Sequence, residues 1–170
     1  MKRLFVLTII LSLILFSSVF SQNYAGKIGL LFSTTSQISY SHIGFSYWLN
    51  DNVSLEPTFG FQNYSSNGNS STTMTPGARI IFHMSPNKLK PYFGAGINVV
   101  MLTVDSDSYS DMMLSGLYGV EYFITKWFSL GGEFQLNVIM TGKDVSPSGY
   151  NTESTIISTG SAIILRFYLK

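Results

Sequence analysis

Apolar and polar residues alternate along most of the chain from about residue 26 onward. The same alternation recurs in segments 43–49 and 130–138. A period of two predicts a β-strand with one apolar and one polar face, because a helix would repeat every 3.6 residues. In the clearest segment, one face would carry Val53, Leu55, Pro57, Phe59 and Phe61, and the other Ser54, Glu56, Thr58, Gly60 and Gln62.

This pattern predicts eight strands whose connections alternate between short turns and longer loops. An even number of strands with tight turns at one end and longer loops at the other is typical of outer-membrane barrels. We therefore predict an all-β fold, an eight-stranded antiparallel up-and-down transmembrane β-barrel. The predicted strands are 26–34, 39–49, 53–64, 73–84, 91–103, 111–123, 128–139 and 153–169; the short turns are 50–52, 85–90 and 124–126, and the loops 35–38, 65–72, 104–110 and 140–152.

The N-terminus has the organisation of a signal peptide. Lys2 and Arg3 precede an apolar run from Leu4 to Phe20, which ends at Ser21 before polar residues. We predict cleavage after Ser21, so that residues 1–21 are removed and residues 22–170 form one exported barrel domain. A retained membrane anchor is the alternative interpretation.

The composition excludes several other classes of protein. Hydrophobic residues make up 45% of the chain and charged residues 11%, against about 25% charged residues in a soluble domain. A net charge of +1 argues against nucleic-acid binding, which needs basic clusters. With no cysteine, the chain has neither disulfides nor thiolate metal sites.

The polar face consists mainly of small and amide residues, which suits the interior of a narrow barrel. We expect its few charges to pair inside the lumen, Glu56 with Arg79 and Glu133 with Arg166, because unpaired buried charges are unfavourable. Charges scattered near the rim are the alternative. The predicted interior charge cluster comprises Lys27, Glu56, Arg79, Glu121, Glu133 and Arg166.

Aromatic residues concentrate near the ends of the predicted strands. Two such belts are expected of a membrane barrel, because amphipathic rings favour the level of the lipid headgroups. The belt at the short turns would contain Tyr47, Trp48, Tyr92, Tyr122, Phe123, Trp127, Phe128, Phe167 and Tyr168, and the belt at the loops Tyr40, Tyr64, Tyr109 and Tyr150.

Two prolines fall inside predicted strands that have no free edge. Pro57 and Pro76 lack the N–H group that a strand interior donates to its neighbour. We therefore expect a bulge or a shortened ladder at each.

Three stretches of the sequence resemble a known family when taken together: 91–96 (PYFGAG), 127–133 (WFSLGGE) and 165–169 (LRFYL). They resemble the outer-membrane β-barrel domain family, which includes opacity-type proteins and the transmembrane domain of outer-membrane protein A. The resemblance covers essentially all of residues 22–170. It implies residence in the bacterial outer membrane and recognition by the assembly machinery through the C-terminal aromatic, although here Leu169 and Lys170 follow the aromatic pair.

Possible catalytic and metal-binding residues are few. His83 and Ser85 have the His-x-Ser spacing of lipid A deacylases, but they lie at a short turn without an evident acidic partner, so we predict a strand end rather than a catalytic site. His42 is interpreted as a structural residue of the polar face. The acidic residues near 105–111 are interpreted as a solvated loop rather than a cation site.

We therefore expect a non-enzymatic barrel, plugged by its own side chains, with a structural or surface-interaction role. The alternatives are a small pore, a soluble periplasmic carrier of an apolar ligand and a lipid A-modifying enzyme. The expected partners are outer-membrane lipid, the assembly machinery and an unidentified surface ligand. We expect no nucleic acid and no cofactor, and a monomer.

Overall fold

The computed structural model describes residues 24–35, 41–66, 69–85, 87–104, 107–141 and 154–169. The predicted signal peptide lies outside the described residues. Among the described residues, no helix has the length and apolar composition needed to cross a membrane. The strands are β1 (Ile28–Thr35), β2 (Ser41–Trp48), β3 (Val53–Ser66), β4 (Asn69–His83), β5 (Leu89–Val104), β6 (Asp107–Phe123), β7 (Phe128–Thr141) and β8 (Ser154–Tyr168).

The eight strands form one closed barrel in sequence order. Each strand pairs with its neighbours in an antiparallel ladder, and β1 closes the sheet by pairing with β8, where Leu31 lies opposite Arg166. Closure leaves no unpaired sheet edge, as the hydrocarbon of a bilayer requires. The predicted eight-stranded up-and-down barrel is confirmed.

The two faces of each strand have the predicted orientation. On β3, Leu55 and Phe59 are each 41% exposed and point outward, whereas Glu56 between them is fully buried in the lumen. The same alternation of exposed and buried positions runs along β2 and β7. Apolar residues therefore cover the outside, whereas the inside holds the buried charged and polar residues together with some apolar ones, among them Leu31, Ile81 and Ile164. An outer surface of this kind contradicts a soluble carrier.

Four strands, β3 to β6, extend into segments predicted as loops. β3 continues to Ser66 and β4 begins at Asn69, so the predicted loop 65–72 is largely strand, and the loop predicted at 104–110 is shortened in the same way. These segments consist mainly of Ser, Asn, Gly and Asp, and they are extended here because each continues the ladder of a long hairpin. The lack of apolar residues in these segments predicts a loop, but a ladder beyond the bilayer needs no apolar face.

A ladder is interrupted beside each of the two prolines, but the register of strand pairing is the same on both sides of the gap. Pairing of β2 with β3 stops at Gly44–Thr58 and resumes in the same register at Tyr47–Leu55, next to Pro57. Pairing of β4 with β5 likewise stops at Met74–Met101 and resumes at Gly77–Asn98, next to Pro76. The expected shortened ladder is confirmed at both sites, with no bulge, because the unchanged register excludes an inserted residue.

The aromatic belt at the short turns is only partly as predicted. Tyr47, Tyr122, Trp127 and Phe167 are 43–48% exposed and point outward. The prediction grouped residues by height alone, whereas side chains on neighbouring positions of a strand point to opposite faces. The belt assignment is therefore wrong for four residues that are buried inside the barrel: Trp48, Tyr92, Phe123 and Tyr168.

Residues of the predicted belt at the loop end are described only in part. Tyr64 is 62% exposed on β3, and Tyr109 is half-buried on β6. Tyr40 and Tyr150 lie outside the described residues.

Candidate functional site

Charged side chains from β3, β4 and β7 meet inside the barrel. Arg79 is the centre of the contact, with Nη2 2.5 Å from Glu56 Oε2 and Nη1 3.1 Å from Glu133 Oε1. All three residues are buried. One guanidinium therefore joins two carboxylates that project from different walls of the lumen.

A second guanidinium extends this contact towards the short turns. Arg166 on β8 donates from Nε to Glu56 Oε1 at 2.8 Å. Its Nη1 lies 3.3 Å from Glu121 Oε2, outside hydrogen-bond geometry, so that contact is an electrostatic one. The chain of contacts Glu133–Arg79–Glu56–Arg166–Glu121 runs across the lumen, and we call it the lumen network.

Neutral side chains complete the coordination of the two outer carboxylates. Tyr92 Oη donates to Glu133 Oε2 at 2.9 Å, and Tyr168 Oη donates to Glu121 Oε1 at 2.8 Å. Ser129 also donates to Glu121. Buried carboxylates are tolerated only when their oxygens are paired and hydrogen-bonded, and these contacts supply that pairing.

The network differs from the predicted cluster in two respects. Glu133 was expected to pair with Arg166, but it binds Arg79, since Arg166 lies opposite Ser129 in the β7–β8 ladder and Glu133 lies opposite Ala162, four positions further along. Lys27 is half-buried before β1, with its Nζ 4.3 Å from the centre of the Tyr24 ring. Its attraction is to the ring face, so it stands apart from the five residues that the lumen network joins.

Two titratable residues of the lumen were missed in the sequence. Lys90 is 1% exposed and His83 is 3% exposed, and His83 Nε2 lies 3.2 Å from Glu121 Oε2. Lys90 has the parity of the inward-facing Tyr92 on β5, and His83 has the parity of the inward-facing Arg79 on β4, so parity was the signal that could have identified them. With Lys90, the described part of the lumen holds three buried cations and three buried carboxylates: Arg79, Lys90 and Arg166, and Glu56, Glu121 and Glu133.

Aromatic rings pack together below the network. Tyr24 stacks on Trp48 with ring centres 4.8 Å apart and contacts Phe123 at 5.3 Å, and Tyr168 stacks on Phe123 at 5.5 Å. These four buried residues form what we call the aromatic floor. Lys90 Nζ lies 3.9 Å from the centre of the Tyr24 ring, a cation–π contact that holds the ammonium inside the floor.

A turn before β1 carries Tyr24 under the barrel. Tyr24 N–H donates to Asp51 Oδ1 at 2.6 Å, and Gly26 N–H donates to the Trp48 carbonyl at 2.8 Å. Gly26 has φ 78°, a left-handed conformation that glycine adopts without strain. Burial, and then the charges of Glu121 and Asp51, raise the pKa of the Tyr24 phenol to about 12.

A small cavity, which we call the upper cavity, lies on the other side of the network, towards the loops. Arg79 forms part of its wall, and its lining includes the polar residues His42 and Asn98 as well as the apolar residues Met113 and Leu117. It leaves about 40 Å³ for water, room for roughly three molecules if each needs ~10–15 Å³.

The two residues of the His-x-Ser spacing have separate partners. His83 directs Nε2 to Glu121, whereas Ser85 Oγ accepts a hydrogen bond from the Asn87 N–H at 3.2 Å. Asp107 is exposed and Asp111 is half-buried, while Asp105 lies outside the described residues. Within the described part of the chain, no group of three His, Cys, Asp or Glu residues is placed to hold a metal ion.

The sequence matches one protein-family model, the outer membrane protein beta-barrel domain, over residues 12–160. No curated protein matches it. Two similar solved structures are the N-terminal β-barrel domain of Pseudomonas aeruginosa OprF (17% identity, TM-score 0.57, 87% of this chain and 100% of that chain) and Neisserial surface protein A (18%, 0.54, 83% and 94%). A third is the outer membrane protein OprG from Pseudomonas aeruginosa (12%, 0.51, 86% and 97%). At these identities, the similarity demonstrates the fold.

Proposed function

Because the chain belongs to the outer membrane protein β-barrel domain family, and so resides in the bacterial outer membrane, we propose that it is a closed, non-catalytic barrel. Its role is then structural, or lies in contacts made by its outer loops. The lumen network is the observation that carries the proposal. It spans the interior from Glu133 on β7 to Glu121 on β6 through residues of β3, β4 and β8.

Three layers along the lumen support closure. The aromatic floor lies at the short turns, the lumen network above it, and the narrow upper cavity towards the loops. Eight strands enclose an interior just wide enough for side chains to fill. A permeating solute would have to displace paired charges and stacked rings, each of which is stabilised by several contacts.

A non-catalytic role agrees with the positions of the candidate nucleophile and base. Ser85 follows the end of β4 at the short-turn end, and His83 points into the lumen. A Ser–His nucleophile requires the two side chains to be within hydrogen-bond reach, and these two have other partners. Replacing Ser85 with Ala should leave the lipid A profile of the cell unchanged.

Single-channel recording in planar lipid bilayers tests closure. The refolded mature protein should insert without producing stepwise conductance, and the different migration of boiled and unboiled samples on a gel should verify that it is folded. A double variant, Tyr24→Ala with Trp48→Ala, removes two rings of the aromatic floor and keeps the lumen network. If the network closes the lumen, this variant also stays silent; regular conductance steps from the unaltered protein would refute the proposal.

The structural role and the loop-mediated role can be separated in cells. The segment predicted as the last loop, 140–152, can be replaced by a short Gly–Ser turn in a strain that lacks the native copy. A structural role predicts that this shortened barrel restores resistance of the envelope to detergent as well as the full chain does. Restoration only by the full chain would favour the loop-mediated role.

A further inference from the structure

An apolar row on the outside of the barrel ends at two turns that carry lysines. Leu89, Tyr122 and Leu130 lie side by side in the ladders of β5, β6 and β7, and their exposures are 53%, 48% and 42%. Ile124 and Trp127, in the turn after β6, are also exposed, by 47% and 44%. The row therefore continues down to the level of the short turns.

Lys88 directly precedes Leu89, and Lys126 directly precedes Trp127; both lysines are exposed. Their turns are fixed by backbone hydrogen bonds. Phe123 N–H donates to the Lys88 carbonyl at 2.7 Å and Ile124 N–H to the Phe128 carbonyl at 3.1 Å. We call the combined surface the turn-end patch; it comprises Lys88, Leu89, Tyr122, Ile124, Lys126 and Trp127.

The described residues at the two ends of the barrel carry charges of different sign. At the loop end, the strands present Asp107, which is exposed, and Asp111, which is half-buried. At the turn end, Lys88 and Lys126 form no ion pair with any described residue, and the nearby carboxylate of Asp51 accepts the Tyr24 N–H. Among the described residues, the turn end therefore presents the two exposed lysines that could attract an anion.

We propose that the turn-end patch binds the headgroup of an anionic phospholipid in the periplasmic leaflet. The short turns of such barrels face the periplasm. Lysines at the edge of an apolar surface extend their ammonium groups to the headgroups, where Trp and Tyr rings also prefer to lie. Lys88 and Lys126 would contact the phosphate, and Leu89 and Trp127 the glycerol and upper acyl chain.

The position of the lysines favours a lipid over a soluble acid as the ligand. Leu89 and Tyr122 point outward from the barrel, towards the acyl chains, so a ligand that contacts both the row and the lysines must itself be amphipathic. Each lysine near an anionic surface increases the affinity for that surface about fivefold. Two lysines should therefore enrich anionic lipid beside the patch well above its bulk fraction.

Tryptophan quenching provides a direct test, because the protein has two tryptophans. Trp48 is fully buried in the lumen and gives a constant background, whereas Trp127 is 44% exposed in the patch. The refolded mature protein is placed in equimolar vesicles of phosphatidylglycerol and phosphatidylcholine, with brominated chains on only one lipid at a time. We expect brominated phosphatidylglycerol to quench Trp127 several times more strongly than brominated phosphatidylcholine.

Variants without the lysine charges show whether the patch causes the stronger quenching by brominated phosphatidylglycerol. Lys88→Gln together with Lys126→Gln should make the two brominated lipids quench equally. Lys27→Gln removes one charge at the same end next to β1, which lies opposite β5 in the closed barrel, and should leave the preference intact. Equal quenching by both lipids in the unaltered protein, or a preference that survives in the double variant, would overturn the proposal; neither result depends on whether the barrel conducts.

Discussion

Arg166 and Glu56 are 110 residues apart in the sequence, and Arg166 Nε lies 2.8 Å from Glu56 Oε1 inside the barrel. Arg166 belongs to β8 and Glu56 to β3, with β1 and β2 between them in the wall. The two side chains therefore meet across the lumen rather than along a ladder. This contact can form only when β8 has closed against β1.

Replacing Arg166 with Met should destabilise the barrel. The substitution leaves Glu56 with Arg79 alone and removes the guanidinium beside Glu121. Removing one partner of a buried ion pair destabilises a protein by about 3–5 kcal/mol, because the remaining charge stays buried. The free energy of unfolding by urea in lipid vesicles measures the effect.

Lys126→Met is the matched control for Arg166→Met, since it removes one positive charge from an exposed turn; both variants are measured in vesicles of phosphatidylcholine alone, so that the proposed contact of Lys126 with anionic lipid makes no contribution. Its free energy of unfolding should remain within about 0.5 kcal/mol of that of the parent. Equal stability of Arg166→Met and the parent would contradict a stabilising lumen network.

Arginine at Phe134 should strongly disfavour insertion into a bilayer. Phe134 is 53% exposed near the middle of β7 and points outward. Arginine on the lipid face costs about 2–4 kcal/mol at the midplane and about 0–1 kcal/mol near the interface. Folding titrations of Phe134→Arg should show the large cost relative to Phe134→Ala, whereas Tyr122→Arg at the strand end should show the small one; equal costs at both depths would argue against the outward apolar face.

Gly119→Ala should destabilise the barrel although it adds only one methyl group. A Cβ at Gly119 would lie closer than 3.0 Å to the Tyr92 ring, which Glu133 holds in place. Overpacking of this kind costs typically 1–3 kcal/mol. Gly132→Ala in the adjacent strand meets nothing within 4 Å and should leave the urea midpoint unchanged; the prediction fails if the two alanine variants behave alike.

The Tyr24 phenol should make the barrel sensitive to alkali. Its pKa is raised to about 12 in the folded protein from an ordinary value of 10.0, so the folded state retains a proton that the unfolded state loses. The stabilising contribution of neutral Tyr24 is complete below pH 10 and is lost as pH rises towards 12. Urea midpoints of the parent should fall more steeply over this interval than those of Tyr24→Phe; parallel curves would exclude the role of this phenol.

Alternation was sufficient to predict the fold and the orientation of its faces. Leu55 and Phe59 point outward and Glu56 inward because strand geometry fixes the parity once the apolar face is assigned to lipid. The same rule, applied residue by residue, would have placed Trp48 inside. The height of an aromatic residue along its strand does not determine which face of the strand it occupies.

The partners within the lumen could not be predicted from parity. Parity places Glu133 and Arg166 on the inner face, but their pairing depends on the register of β7 with β8 and on how far each side chain reaches across the lumen. Arg79 reaches Glu133 from β4, three strands away in the wall. Contacts across a narrow lumen follow from the closed three-dimensional shape, which the linear pattern does not contain.

The hairpin of β3 and β4 is bound to the rest of the barrel in an unusual way. Its internal ladder is continuous from Val53–Phe82 to Ser66–Asn69, while the ladders on both of its flanks are interrupted beside a proline. Glu56 and Arg79 from this hairpin reach Arg166 and Glu133 through the interior. The interior ion pairs thus hold the hairpin in the barrel where its two flanking ladders are interrupted. A barrel without these ion pairs should open first along the β2–β3 and β4–β5 ladders.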